Sequence, residues 1–305
     1  GGADRLTLAG RGPFWARRSV DHRRTRVLVS AIEHHAVLDS ARWLAEHEGA
    51  LVEVLPVDHD GRLQPATLDA AIAADPGSVA VVSVMWANNE VGTVNPVREL
   101  AAVAHRYGVP LHTDAVQAVG ILPVDFAASG ADALTLTGHK LGGPYGAGAL
   151  LLGREVPVTP LLHGGLQERD VRSGTLDKAG VVGLATAVEL AVEQAPRRAA
   201  AIGGLRDDLV GKILAGVPDA VLNGDPGTGV IDGGPSRLPG NAHLSFPGCE
   251  GDSLLMLLDA HGIECSTGSA CTAGVAQPSP VLLALGPDQA PPRGALRFSL
   301  GHTTT

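Results

Sequence analysis

Short β-branched runs alternate with longer amphipathic ones through the first two thirds of the chain, and this alternation constrains the fold more than any other feature of the sequence. VLVSAIE (27–33) reads as a strand, and AVLDSARWLAEHEG (36–49) reads as a helix with apolar positions three and four apart and a closing glycine. The same pair recurs as LVEVLPV with PATLDAAIAA, and again as VAVVSVMWA with PVRELAAVAHRYG. Further strands are expected at VPLHTD, ADALTLT and GAGALLLG. Strands that are apolar along their whole length and alternate with helices imply an α/β fold, with a mostly parallel sheet sandwiched between helices. A chain of 305 residues, 45% hydrophobic and 18% charged, has enough apolar surface to build one large domain or two.

In a sheet of this kind, ligands bind beyond the carboxyl ends of the strands. The residues there are polar. Glu33-His34-His35 follows the first strand, Asn88-Asn89-Glu90 follows VAVVSVMWA, Asp114 and Gln117 follow VPLH, and Thr137-Gly138-His139-Lys140 ends ADALTLT. Taken singly, each has an ordinary reading: His34 as a helix cap, Asn89 as a turn, Asp114 as an N-cap, Lys140 as a solvated amine. Together they would gather an imidazole, an amide, a carboxylate and an amine in one pocket. A lysine preceded by hydroxyl and imidazole donors and followed by the glycine-rich LGGPYGAG can form a Schiff base while its neighbours hold a phosphate. An opposed aspartate can pair with a pyridine nitrogen, so the set describes a pyridoxal 5'-phosphate site.

The three cysteines, Cys249, Cys265 and Cys271, form no C-x-x-C pair and no even-numbered framework, so neither a disulfide scaffold nor a zinc module is expected and a reducing cytoplasm fits best. Cys271 is the unusual one. It lies in STGSACTAG (266–274), among residues too small to pack around it, which suits an accessible and reactive thiol. Cys265, closing a strand candidate HGIEC, and Cys249, in the turn FPGCEG, read as structural. No apolar run approaches the roughly 18 residues of a membrane span. The net charge of −9 argues against bulk nucleic-acid binding. The first 26 residues nevertheless hold seven arginines (Arg5, Arg11, Arg17, Arg18, Arg23, Arg24, Arg26), either a solvated face or a partner contact.

Ordered blocks along nearly the whole chain carry a family resemblance: EHHAVLD, WANNEVGTVNP, HTDAVQAVG, TGHKLGGPYGAGAL, LLHGGLQERDVRSGT, GDSLLMLLDAHGIECSTGSACTAG, QPSPVLLALG and LRFSLGHTT. The sequence resembles the cysteine desulfurases, which are pyridoxal phosphate enzymes of aminotransferase class V and fold type I. The resemblance implies that Lys140 bonds to the cofactor as a Schiff base and moves protons on the substrate carbon. It implies that His34 stacks on the cofactor ring and serves as a second acid or base, that Asp114 holds the pyridine nitrogen, and that Asn89 and Gln117 contact the ring hydroxyl. Thr137 and His139 would bind the phosphate. Thr175 of RSGT would reach the phosphate of a neighbouring subunit in a homodimer. Arg297 would clamp the α-carboxylate of L-cysteine. Cys271 would take the substrate's sulfur as a persulfide and hand it to an acceptor protein for iron–sulfur cluster assembly or tRNA thiolation.

The resemblance also implies a large cofactor domain over residues 1–194 and a smaller α+β domain over 195–305, with a seam near AVEQAPRR. The family pattern is expected to begin before Gly1, with a threonine-bearing phosphate loop, and to continue past Thr305 into a further helix. His243 of NAHLSF stands where such proteins commonly carry asparagine near the substrate. Two other readings stay open from the sequence: a selenocysteine lyase, and a non-catalytic homologue that dimerises or relays sulfur.

Overall fold

A computed structural model describes residues 24–268, 279–286 and 294–305. The first strand, β1 (Arg26–Ser30), is buried beyond its first residue and turns at once into α1 (His35–Glu48), which ends on Gly49 at φ 70°. Then follow β2 (Leu51–Leu55), α2 (Pro65–Ala73), β3 (Val79–Ser83), α3 (Val97–Arg106), β4 (Leu111–Asp114), α4 (Phe126–Ser129), β5 (Ala133–Thr137) and β6 (Gly148–Leu152). They form one six-stranded sheet in the order β2-β1-β3-β4-β5-β6. Every pairing is parallel except β5 with β6. Residues 138–147 are too few for the crossover that a parallel neighbour needs, so β6 returns antiparallel.

The two-residue period of β1 and β3 decides which helix covers which face. Leu28 and Val82 join Leu68 and Ile72 of α2 and Leu100 and Ala104 of α3 in one core. Val27, Val29 and Val81 join Val37, Ala41 and Leu44 of α1 in another. The sheet is therefore covered on both sides, as its uninterrupted apolar strands require.

Two sequence expectations are corrected here. VAVVSVMWA is regular strand only to Ser83: beyond it Val84 N and Trp86 N still donate to His112 O and Asp114 O of β4, but side chains take the Met85 backbone on the other side. The Glu33 carboxylate accepts from Met85 N at 2.6 Å, and Asn95 Nδ2 donates to Met85 O at 2.9 Å. HGIEC forms no strand. It is a turn after α6 (Gly251–Ala260), with Gly262 at φ 74° and Ile263 exposed, and the first residue to pair is Ser266, as a single bridge to Arg297. Of the N-terminal arginines, Arg24 and Arg26 lie among the described residues and serve the fold: Arg24 donates to Gly108 O, and Arg26 pairs with Glu53 and donates to Ala71 O.

A single 39-residue helix, α5 (Lys178–Gly216), contains Pro196 and runs through the AVEQAPRR stretch. Residue 194 lies inside it, so the helix itself is the physical link between the two parts of the chain. Its C-terminal half packs Val210 on Ala242 and Leu244 of a second sheet, antiparallel and ordered β11-β10-β7, whose strands are β7 (Val221–Leu222), β10 (Asn241–Ser245) and β11 (Ala295–Ser299). A small hairpin (β8, Val230–Ile231; β9, Gly234–Pro235), α6 and α7 (Pro280–Ala284) complete this α+β part.

Arg237, 1% exposed, organises the interior of the α+β part. It donates to the carbonyl oxygens of Asn223, Asp225 and Asn241, at 2.9, 2.6 and 3.0 Å. Asp225 in turn pairs with Arg62 and accepts from Ser236 Oγ and Gly227 N, both at 2.6 Å. Burial alone would raise the Asp225 carboxyl, but these hydrogen bonds and the Arg62 charge outweigh it and hold it below the ordinary carboxylate range. A depressed folded-state pKa contributes stability that is present above the unfolded value, near 3.9, and lost as pH falls through the folded one. Asp225→Asn is expected to cost about 2 kcal/mol at neutral pH and less below about pH 4, read as Tm against pH beside the parent protein.

Candidate active site

The carboxyl ends of β1, β3, β4 and β5 open onto one cleft of about 630 Å³, lined by His34, Asn89, Asp114, Gln117, Thr137, His139 and Lys140 together with Arg297 from β11. The strand-end residues thus converge as parallel topology requires. Arg297 reaches the same space from the other part of the chain.

Each residue is placed by local chemistry. His34 is the N-cap of α1: its Nδ1 accepts from Ala36 N at 3.1 Å, which fixes the ring at the helix start. The ordinary reading of His34 and its place in the cleft are both true. Asp114 ends β4 nearly buried, at 5% exposed, and its Oδ1 accepts from Val116 N at 2.9 Å, which fixes the carboxylate on the cleft wall. Asn88 Oδ1 accepts from the backbone of Glu90 and Val91 at 2.8 and 2.9 Å, bending the chain so that Asn89 lines the cleft.

Lys140 closes a single helical turn, Gly138–Lys140, directly after β5. The turn is held by Gly138 N to Ala147 O at 2.8 Å and Gly143 N to Gly138 O at 2.9 Å. A Cβ on Gly138 would stand 2.9 Å from Pro144 O, so only glycine fits beneath the lysine. Thr137 Oγ1 and His139 Nδ1 are 2.9 Å apart, and the exposed Tyr145 ring lies nearly parallel to His139, with centroids 6.3 Å apart. Arg297 donates to Asn89 O at 3.0 Å, while its buried Nε has no hydrogen-bond partner among the described residues.

One expected site residue, Thr175, is not brought into the cleft: it is exposed on the stretch before α5. Cys271 lies outside the described residues. His243 does not line the cleft either: it is fully buried in β10. Sequence reasoning missed Met85 and Asn241, which line the cleft. Asn241 donates to Glu90 O at 2.8 Å across 151 residues of sequence, a partnership that no local pattern could announce.

The donor set fits pyridoxal phosphate. An amine can hold the aldehyde carbon, a buried carboxylate can face the pyridine nitrogen, amides can meet the ring oxygen, and a hydroxyl–imidazole pair follows a strand end as a phosphate binder would. Arg297 on the same cleft carries the paired donors that suit a carboxylate.

Residues 14–305 match the model of the aminotransferase class-V family. The chain is 56% identical over 304 residues to the IscS-like cysteine desulfurase of Mycobacterium tuberculosis, covering all of this chain and 75% of that protein. Among solved structures it resembles a NifS-like protein with a TM-score of 0.85 at 31% identity, covering 100% of this chain and 76% of that one. A further likeness is SspA in complex with cysteine, with a TM-score of 0.77 at 28% identity, covering 100% of this chain and 80% of that one. The chain therefore belongs to the class-V aminotransferases, within their cysteine desulfurase group.

Proposed function

We propose that the protein is a pyridoxal phosphate-dependent L-cysteine desulfurase that releases L-alanine and retains the sulfur on Cys271. The convergence of Lys140, Asp114, His34 and Arg297 on one cleft at the strand ends carries this reading. When bound, pyridoxal phosphate supplies the electron sink that loosens bonds at the substrate's α- and β-carbons. Lys140 would hold the cofactor through its amine and move the proton of the substrate α-carbon. Asp114 would hold the pyridine nitrogen, His34 would stack on the ring, Asn89 and Gln117 would contact its oxygen, and Thr137 and His139 would bind the phosphate.

Arg297 pairs with the substrate carboxylate. In the sulfur-transfer step the Cys271 thiolate attacks the substrate sulfur, the new S–S bond replaces the C–S bond, and a proton ends on the former β-carbon. L-Cysteine and one thiol become L-alanine and one persulfide. Thr175 serves the second subunit of a homodimer. The persulfide passes in the cytoplasm to an acceptor protein for iron–sulfur cluster assembly or tRNA thiolation.

Purified protein given cofactor and L-cysteine should form alanine. Cofactor uptake without alanine would overturn the reading, and turnover of selenocysteine in preference to cysteine would favour the lyase. Arg297→Lys loses the paired donors but keeps the charge, so KM for L-cysteine should rise about 10-fold or more while the cofactor absorbance is unchanged.

A further inference from the structure

Glu90 is adjacent to Asn89 but takes no part in lining the cleft. Its carboxylate lies instead between Gly268 and Ser279, which flank Cys271 in sequence. Ser279 Oγ donates to Glu90 Oε2 at 2.5 Å, and the same hydroxyl accepts from the first backbone N–H groups of α7, Val281 at 3.2 Å and Leu282 at 3.3 Å. On the other side, Gly268 is at φ +85°, and a Cβ built there would be 3.6 Å from Glu90 Oε2 and 2.9 Å from His243 Nε2. Gly268 is therefore packed between the two buried side chains. Just before it, Ser266 exchanges backbone hydrogen bonds with Arg297, at 3.0 and 2.6 Å. Just after Ser279, Val281, Leu282 and Leu285 are buried against Ile32, Met85 and Val91.

We infer that Glu90 is a positioning residue for sulfur transfer, hydrogen-bonded to Ser279 and packed on Gly268, which flank Cys271 in sequence, beside the loop that presents Asn89 to the cleft. The inference rests on the desulfurase reading above. The loop itself is rigid, since Asn88 holds the Glu90 backbone, Arg297 holds Asn89 O, and Asn241 holds Glu90 O. The seat is also dry. Burial raises the Glu90 carboxyl above its ordinary range against the Ser279 hydrogen bond and the charges of Arg297 and His35, and burial with the charges of Arg237 and Arg297 brings His243 down to about 3, so its ring is neutral. A thiol that must meet the substrate sulfur within bond-forming range depends on how the residues flanking it in sequence are held, and Glu90 holds Ser279 and packs on Gly268 beside the loop that carries Asn89.

The test compares cofactor-loaded wild type, Glu90→Ala and Glu90→Gln by hydrogen exchange and by turnover of L-cysteine. Glu90→Ala should raise exchange in peptides covering residues 264–268 and 279–285 and leave β1 to β6 unchanged. It should lower kcat about 10-fold or more with KM moved much less, and slow persulfide formation on Cys271 to match. Glu90→Gln, whose amide oxygen still accepts from Ser279, should return both readouts toward wild type. Unchanged exchange in these two peptides, raised exchange with wild-type kcat, or exchange raised everywhere with loss of cofactor absorbance would each overturn the assignment. If Glu90→Ala does not fold, Ser279→Ala against Ser279→Thr carries the same decision from the other side of the hydrogen bond. A wild type that forms no alanine refutes the desulfurase reading and this role with it, whereas an active wild type with indifferent variants refutes the role alone.

Discussion

Lys140→Ala is expected to give a folded protein that no longer acquires the absorbance of a Schiff base with pyridoxal phosphate, and whose turnover of L-cysteine falls by roughly 10⁴-fold or more. The fold should survive because the side chain is exposed, and its turn is held by backbone hydrogen bonds from Gly138 and Gly143 that do not involve the amine. The effect should be large because the lysine is asked both to hold the cofactor and to move a proton, and the cleft offers no second primary amine. Far-ultraviolet circular dichroism beside the cofactor titration checks both halves. Retained absorbance in Lys140→Ala would place the covalent bond elsewhere.

Cys271→Ala should part the two halves of the reaction. The cofactor absorbance should be kept, since the groups assigned to hold the cofactor belong to other residues. Sulfide release and persulfide formation from L-cysteine should fall by roughly 10³-fold, because a methyl group in place of the thiolate leaves the substrate sulfur without a nucleophile. Release measured as sulfide in the presence of a reductant, with the absorbance followed in the same sample, is the check. Unchanged release would remove Cys271 from the mechanism and turn attention to Cys265, whose thiol burial and the Asp259 charge push up, a poor starting point for a nucleophile.

Much of the large sheet was legible in the sequence, because burial on both faces writes itself into unbroken apolar strands and three-to-four-spaced helices. VLVSAIE and AVLDSARWLAEHEG became β1 and α1 with ends displaced by a few residues. The pattern misled where side chains replaced the ladder, as Glu33 and Asn95 do around Met85, and where an apolar run was too exposed to pair, as at Ile263. The strand-end residues of the cleft were legible for a topological reason: a parallel sheet brings its carboxyl ends to one edge whatever lies between them.

The polar interior was not legible. Asp225 and Glu90 find partners across long stretches of chain, Arg62 163 residues before the one and Ser279 189 residues after the other, and nothing in the local sequence marks either pair. His243 shows the limit from the other side. It stands where the family pattern commonly has asparagine near the substrate, and β10 buries it completely, with Nδ1 2.9 Å from Asn223 Nδ2.

The most direct test of the desulfurase account gives the cofactor-loaded protein a single equivalent of L-cysteine, then quantifies alanine and measures the mass of the peptide carrying Cys271. The account predicts alanine in proportion to protein and a Cys271 peptide heavier by one sulfur atom, lost on reduction. Alanine with an unmodified Cys271 peptide, or a modified peptide without alanine, would contradict it.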